Sequence, residues 1–175
     1  IIIYVSLRFE WRMGLSSVLA LLHDVFIIIA IFSLFRLEVD LTFIAAVLTI
    51  VGYSINDTIV TFDRVRENLH KVKVITHTDQ IDDIVNRSIR QTMTRSINTV
   101  LTVVVVVVAI LILGAPTIFN FSLALLIGLL SGVFSSIFIA VPLWGMLKKR
   151  QFKKTKNNKL VVHKEKKSND EKILV

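Results

Sequence analysis

The chain has 175 residues, 54% of them hydrophobic, and its 21 Lys and Arg outnumber 13 Asp and Glu to give a formal charge of +8. A mean hydropathy of +0.70 with only two prolines excludes an ordinary soluble globule and points to an integral membrane protein. The basic residues gather at the ends of apolar runs and in the tail, which favours lipid over nucleic acid as their partner, and the lack of cysteine excludes disulfide and thiolate chemistry.

Ile1 to Leu7 is apolar but too short to span, and reads as the end of a truncated helix. Arg8, Glu10 and Arg12 form a charged link whose basic residues mark it as cytoplasmic. Met13 to Phe35 is the first full-length span, with His23 and Asp24 near its middle on a face shared with Ser16, Ala20 and Ile27. That pair has two readings: a hydrogen-bonded packing element between helices, or a member of a proton relay. No position ties Asp24 to a cation, which favours packing. Arg36, Glu38 and Asp40 then turn the chain on the outer side.

Leu41 to Phe62 is the second span, close to the roughly 20 residues that a hydrocarbon layer of about 30 Å requires. Asp57 lies inside it, and an ionised Asp there costs roughly 2.5 to 3.5 kcal/mol even on a lenient insertion scale. It needs a compensating partner or a neutralising proton. At 3.6 residues per turn, Thr49, Tyr53, Asn56, Asp57, Val60 and Arg64 share a face that is expected to avoid lipid.

Residues 63–96 form a cytoplasmic loop carrying Arg64, Arg66, Lys71, Lys73, Arg87 and Arg90. Within it Ile81, Ile84, Val85, Ser88, Ile89, Thr92 and Met93 predict an amphipathic helix on the inner membrane surface, capped by Thr78, with Asp79, Asp82 and Asp83 at its positive end. His70 and His77 lack a second ligand at helical spacing, so no metal site is expected. Ile97 to Gly114 is the third span, where length decides for helix despite the valine run. Gln91, Arg95, Asn98 and Thr102 make a polar stripe into it, and Arg95 at the boundary could act alone as a snorkelling anchor.

Gly114 to Pro116 turns outside, and Thr117 to Leu147 is the last span. Gly128, Gly132, Ser136 and Ala140, four apart, form a small-residue ridge for close helix packing. Pro142 is expected to kink the helix and Trp144 to settle at the interface. From Lys148 to Val175 eleven Lys or Arg face three acids without periodicity, which predicts a disordered cytoplasmic tail. The predicted fold is therefore an all-α membrane bundle over residues 1–147, with four complete transmembrane helices, the end of a truncated one and a cytoplasmic amphipathic helix. No nucleophile with a base, metal cluster or glycine-rich phosphate loop suggests an enzyme, and no cofactor is implied.

The stretch GYSINDTIVTFDRVREN at Gly52 to Asn68 closely resembles the signature of the bacterial SecF family, including the SecF-like C-terminal half of fused SecDF proteins. Arg8-Phe9, Leu22-His23-Asp24-Val25, Thr94-Arg95-Ser96, and Gly128 with Ser135-Ser136 follow in the order this family shows, so the resemblance runs from Arg8 to Lys149. It implies a proton-driven auxiliary of the Sec channel in the bacterial cytoplasmic membrane, multi-pass with a cytoplasmic C-terminus. The implied partners are SecD or a SecD-like half, the SecYEG channel, lipid, and a preprotein reached through an external domain. A whole SecF half would carry an earlier helix and that domain before Ile1; this segment corresponds to the motor part.

By the same resemblance, the family's membrane carboxylate falls on Asp57 and its arginine on Arg95, with Gly52, Tyr53, Asn56, Asp63 and Arg64 as the supporting motif. Burial favours a neutral acid and a nearby guanidinium favours the carboxylate, so moving Arg95 relative to Asp57 would link protonation to helix arrangement. A proton crossing about 100 mV carries roughly 2.3 kcal/mol, enough to bias a two-state bundle. Two alternatives stand beside this: a small-solute or lipid exporter of the same resistance-nodulation-division superfamily, against which the GYSINDT run argues, and a structural scaffold in which Asp57 and Arg95 form an inert ion pair.

Overall fold

Alternating apolar runs and short polar turns give four long helices in the computed structural model, which describes residues 10–72 and 77–153. Helix α1 spans Trp11–Leu34, α2 Leu41–Lys71, α3 Asp79–Leu113 and α4 Phe119–Ser135. A 3-10 turn, Pro116–Ile118, leads into α4, which continues through a π turn, Ser136–Ala140, into a helical segment over 141–153. No strand occurs among the described residues, and all four helices are long and apolar enough to cross a membrane. The expected truncated helix at Ile1 to Leu7, Arg8, Lys73 and the tail beyond residue 153 lie outside the described residues.

The turn between α1 and α2 is closed at both ends by local chemistry. Leu37 N–H donates to Phe32 O at 2.9 Å and Arg36 N–H to Ser33 O at 3.2 Å, the paired bonds that end a helix on a left-handed residue. That residue is Arg36, at φ 51°, a conformation that glycine adopts more cheaply. Across the turn, Asp40 Oδ1 accepts from Phe43 N–H at 2.9 Å and from the Thr42 hydroxyl at 2.7 Å, capping α2.

Lipid tails are as apolar as leucine, so these helices associate by close packing and interhelical hydrogen bonds rather than by hydrophobic burial. The most extensive contact is between α2 and α4, and the small-residue ridge makes it possible. A Cβ on Gly128 would stand 2.2 Å from Ile50 Cδ1, and one on Gly132 3.3 Å from Ser54 Cβ. Two apolar layers result. Near the turn between α1 and α2, Phe32, Phe43, Ile50 and Ala124 pack together, the two rings 4.5 Å apart. Toward the other end, Phe62, Val65, Val85 and Trp144 form the second layer. Between them lies a layer of hydroxyls and carboxyls.

Three expectations are corrected. The amphipathic segment is not a separate surface helix: it is the first part of α3, which runs unbroken from Asp79 to Leu113. Its apolar stripe, Ile81, Ile84 and Val85, is buried against α2 and α4 instead of lying on lipid. Thr78 has helical backbone angles and makes no side-chain cap, because a capping hydroxyl needs an extended residue. Trp144 is fully buried, not interfacial, because the helix past Pro142 stays packed on Phe62 and Val85.

Pro142 itself follows the π turn. A proline has no N–H to give the fourth residue back and its ring crowds that carbonyl, so the wider turn at Ser136–Ala140 absorbs the misfit. The expected tail begins as helix over 148–153. Lys148 Nζ binds both oxygens of Glu10, at 2.7 and 2.8 Å, and Lys149 binds Asp82, which ties the end of α4 to the starts of α1 and α3.

Candidate functional site

The polar layer is built from residues one helical turn apart on three helices. Ser54 and Thr58 project from α2, Ser131 and Ser135 from α4, and Ser136 opens the π turn; all are buried. Asp24 is buried at 1% exposure, and α1 places it among them. Ser54 Oγ and Ser135 Oγ each donate to Asp24 Oδ2 at 2.7 Å, and Ser131 Oγ donates to Oδ1 at 2.8 Å. His23, with its side chain partly exposed, contributes only a long 3.4 Å contact from Nδ1 to Oδ1.

Asp57 has a different surrounding. Ser96 Oγ of α3 donates to its Oδ1 at 2.6 Å. Its Oδ2 is enclosed but has no hydrogen-bond partner. Ser136 stands beside the carboxyl without completing a bond to Oδ2; its hydroxyl is 2.8 Å from Thr58 Oγ1 instead. The Tyr53 hydroxyl donates to Thr99 O at 3.2 Å and closes the same α2 to α3 seam one turn outward.

Arg95 lies next to Ser96 but makes neither hydrogen bond nor ion pair with Asp57. It lines an open cleft of about 220 Å³ between α2 and α3, together with Val60, Asp63, Arg64, Glu67, Gln91 and Thr92. The cleft's inner residues, Val60 and Arg95, are within one turn of Asp57 and adjacent to its partner Ser96. Asp63 is exposed on it, and Arg64 pairs with Glu67 at 2.6 Å. Nearer its mouth, Asn68 Nδ2 donates to Ser88 Oγ and to Gln91 Oε1, each at 2.9 Å.

The expected lipid-avoiding face of α2 is displaced. Thr49 and Asn56 are exposed, and Gly52 faces open space: a Cβ there would meet nothing within 4 Å. The buried face is Ala46, Ile50, Ser54, Thr58, Thr61 and Val65. Asp57 sits at its edge, so a face centred on Asp57 includes residues that this bundle leaves uncovered. Ser54 and Ser131 are site residues that the sequence reading does not single out, and Ser96 and Ser135 enter it only within the motifs that carry the family resemblance. A signal for them exists: hydroxyl residues four apart inside an apolar span, as in Ser54 with Thr58 and Ser131 with Ser135, are the pattern that joins membrane helices.

No group of three or more His, Cys, Asp or Glu able to hold a metal occurs among the described residues. The arrangement offers two carboxyls one hydroxyl layer apart, Asp24 fully buried and Asp57 one helical turn along α2 from Val60 in the polar cleft.

Comparison with known proteins places this architecture. The chain is 62% identical over 154 residues to the protein translocase subunit SecDF of Bacillus subtilis, covering 88% of this chain and 21% of that one. It is 54% identical over 154 residues to the protein translocase subunit SecF of Alicyclobacillus acidocaldarius, covering 88% of this chain and 50% of that one. It thus spans half the length of that SecF and about a fifth of that SecDF. A crystal structure of SecDF in a super-membrane-facing form superimposes with a TM-score of 0.83 at 40% identity, over 90% of this chain and 21% of that one. Residues 1–150 match the family described as protein export membrane protein SecD/SecF, C-terminal. The chain is a multi-pass membrane protein and belongs to the SecD/SecF C-terminal family.

Proposed function

We propose that this chain is the proton-coupling membrane unit of an auxiliary Sec translocase subunit in the bacterial cytoplasmic membrane, using the proton gradient to assist preprotein export. Its relatives are named protein translocase subunits. Its partners on this reading are a SecD-like half, the SecYEG channel, and a preprotein engaged through an external domain. The exposed Thr49, Gly52 and Asn56 edge of α2, polar or small within an apolar span, suits contact with the SecD-like half better than contact with lipid.

The observation that carries the reading is the Asp57 carboxyl itself. It is held by one serine, has a second enclosed oxygen without a donor, and lies one helical turn from Val60 in a cleft lined by Arg95. A proton entering along the cleft would reach Asp57 past the guanidinium. Arg95 can then swing toward the carboxylate when the proton leaves and away when it returns, drawing α3 against α2. A locked ion pair, as a scaffold would hold, is not formed: Arg95 stands near enough to act on Asp57 through space but makes no direct salt bridge or hydrogen bond to it.

In this arrangement Arg12, residues 63–95 and the segment from Lys148 face the cytoplasm, and residues 36–40 and 115–121 face outward. Single-cysteine labelling from either side tests this, and external labelling at position 70 contradicts it. The functional test compares Arg95→Lys, Asp57→Asn and the double variant for proton-driven export in vesicles carrying the complete partner set. Lysine lacks the planar fork that meets a carboxylate, so Arg95→Lys is expected to be damaging and the double variant no worse than Asp57→Asn alone. Independent, multiplicative defects would show that the two residues do not share a step.

A further inference from the structure

Of the acidic and basic side chains among the described residues, Asp24 alone is buried. Its serine cage is not a by-product of burying serines. Several buried hydroxyls in this bundle satisfy themselves on their own helix, as Ser17 does on Met13 O at 2.9 Å and Thr58 on Ser54 O at 2.9 Å, while Ser96 turns to the other carboxyl, Asp57. Ser54 and Ser131 turn to Asp24. Apolar side chains would pack the helices without placing a carboxyl there at all.

The cage also closes with a proton on or off. As a carboxylate, Asp24 accepts from three hydroxyls. Ser135 Oγ has a second acceptor, Gly132 O at 3.2 Å. When Asp24 carries a proton, Ser135 turns its own hydrogen to Gly132 O and accepts from the acid, so no buried group is orphaned in either state.

Asp24 is joined to the Asp57 site on two sides. Ser135, which binds Asp24, is followed by Ser136, which stands beside Asp57. Ser54, which also binds Asp24, lines with Asp57 and Tyr53 a small cavity of about 10 Å³. Its other walls are apolar, among them Ile50, Val100 and Leu129, so a water there has Ser54, Asp57 and Tyr53 as its polar partners. That is on the order of the space one water needs. The charged or titratable groups facing this region are His23 beside Asp24 on α1, Tyr53 and Asp57 on α2 and Arg95 on α3, while α4 contributes hydroxyls.

We propose that Asp24 is a second proton-binding carboxyl, exchanging a proton with Asp57 through Ser54 and one water in the cavity between them. The step balances. The Asp57 O–H bond breaks as its proton passes to the water, the water gives one of its own protons to Ser54 Oγ, and Ser54 gives its hydroxyl proton to Asp24 Oδ2. Asp57 ends as carboxylate, Asp24 as neutral acid, and water and serine are restored. This rests on the reading of Asp57 as the proton-coupling group.

The test uses the full-length chain with its SecD-like half in lipid vesicles and follows carboxyl stretching bands by infrared difference spectroscopy as pH is stepped. Two buried carboxyl bands are expected to titrate. Asp24→Asn removes one, Asp57→Asn the other, and each moves the midpoint of the remaining band by about one pH unit, the coupling at which two sites titrate as a pair. If Asp24→Asn removes no titrating band, Asp24 keeps one protonation state and the proposal fails. Should Asp24→Asn not insert, Ser54→Ala keeps Ser131 and Ser135 on Asp24 and is expected to slow exchange at least tenfold after a pH jump; an unchanged rate overturns the relay. Failure of the Asp57 reading would appear elsewhere, as full proton-driven export by Asp57→Asn whatever the Asp24 band does.

Discussion

Asp24 and Asp57 are both aspartates in the interior of apolar helices, yet their surroundings are opposite. Asp24 is sealed between α1, α2 and α4 and takes three hydroxyl hydrogen bonds. Asp57 lies at the α2 to α3 seam with one such bond, an unpartnered oxygen and a cleft a turn away. The first arrangement holds helices together whichever protonation state it adopts. The second gives up hydrogen bonds for access, and α3, the helix that supplies its one donor, is also the helix that presents the most exposed apolar surface. The α2 to α3 seam is also bridged by Tyr53 to Thr99 and by Asn68 to Ser88 and Gln91, but only one hydrogen bond there reaches the carboxyl, whereas three reach Asp24.

The largest expected effect breaks both regions at once. Gly128→Leu forces a side chain into the fully buried Ile50, whose Cδ1 already lies 2.2 Å from a Cβ position there. It should destabilise the bundle by about 3 kcal/mol, the upper end for overpacking. Gly52→Ala, facing open space, should leave thermal unfolding in detergent unchanged. Equal melting of the two variants would mean the α2 to α4 contact does not organise the site.

Next in size is the contrast between the carboxyls themselves. Asp24→Ala removes the acceptor of three serines on two other helices and should cost about 3 kcal/mol, as loss of a buried polar network does. Asp57→Ala removes one hydrogen bond and should cost about 1 kcal/mol. Denaturant unfolding of the two variants measures the order, and a reversed order would undo the comparison. Ser96→Ala should cost a similar 1 kcal/mol or so while widening the seam, which cysteine labelling at Thr99 would report as faster modification.

The smallest effects lie in the turn between α1 and α2, away from both sites, and serve as the background. Arg36→Gly should stabilise by about 1 kcal/mol, because glycine adopts the left-handed conformation without a Cβ clash. At the α2 cap, hydrogen bonds from the Thr42 hydroxyl and then the Phe43 N–H hold the Asp40 carboxyl below its ordinary value. A depressed carboxyl contributes stability above its unfolded value and loses it as pH falls through the folded one, so capping should fade below about pH 4. Protection of the Phe43 amide relative to its intrinsic exchange rate should fall there, and Asp40→Asn should flatten that dependence.

Much of the fold is legible in the sequence because span length and the polar turns leave few options in a membrane. The ends at Trp11, Leu34, Leu41 and Leu113 fall within a residue or two of the apolar boundaries. The end of α2 at Lys71 and the start of α3 at Asp79 are not legible. Helices α2 and α3 run on past their apolar runs because Asn68 with Ser88, and Phe62 with Val85, pack them against each other beyond the bilayer-length segment. That is a tertiary contact that periodicity alone does not reveal. Of the site, Asp57 is readable from its cost in an apolar run, and Gly128, Gly132 and Ser136 from their spacing. Asp24 is underrated by sequence because its partners are serines on distant segments, and a hydroxyl in a span carries little signal until its acceptor is known.

The central claim is that Asp57 couples a proton to preprotein export, and it is tested most directly by Asp57→Asn in vesicles carrying the complete partner set, at equal membrane level. Export is measured with and without an imposed proton gradient. The account predicts unchanged export without the gradient and loss of the gradient's stimulation in the variant. Stimulation equal to that of the unaltered chain would contradict it.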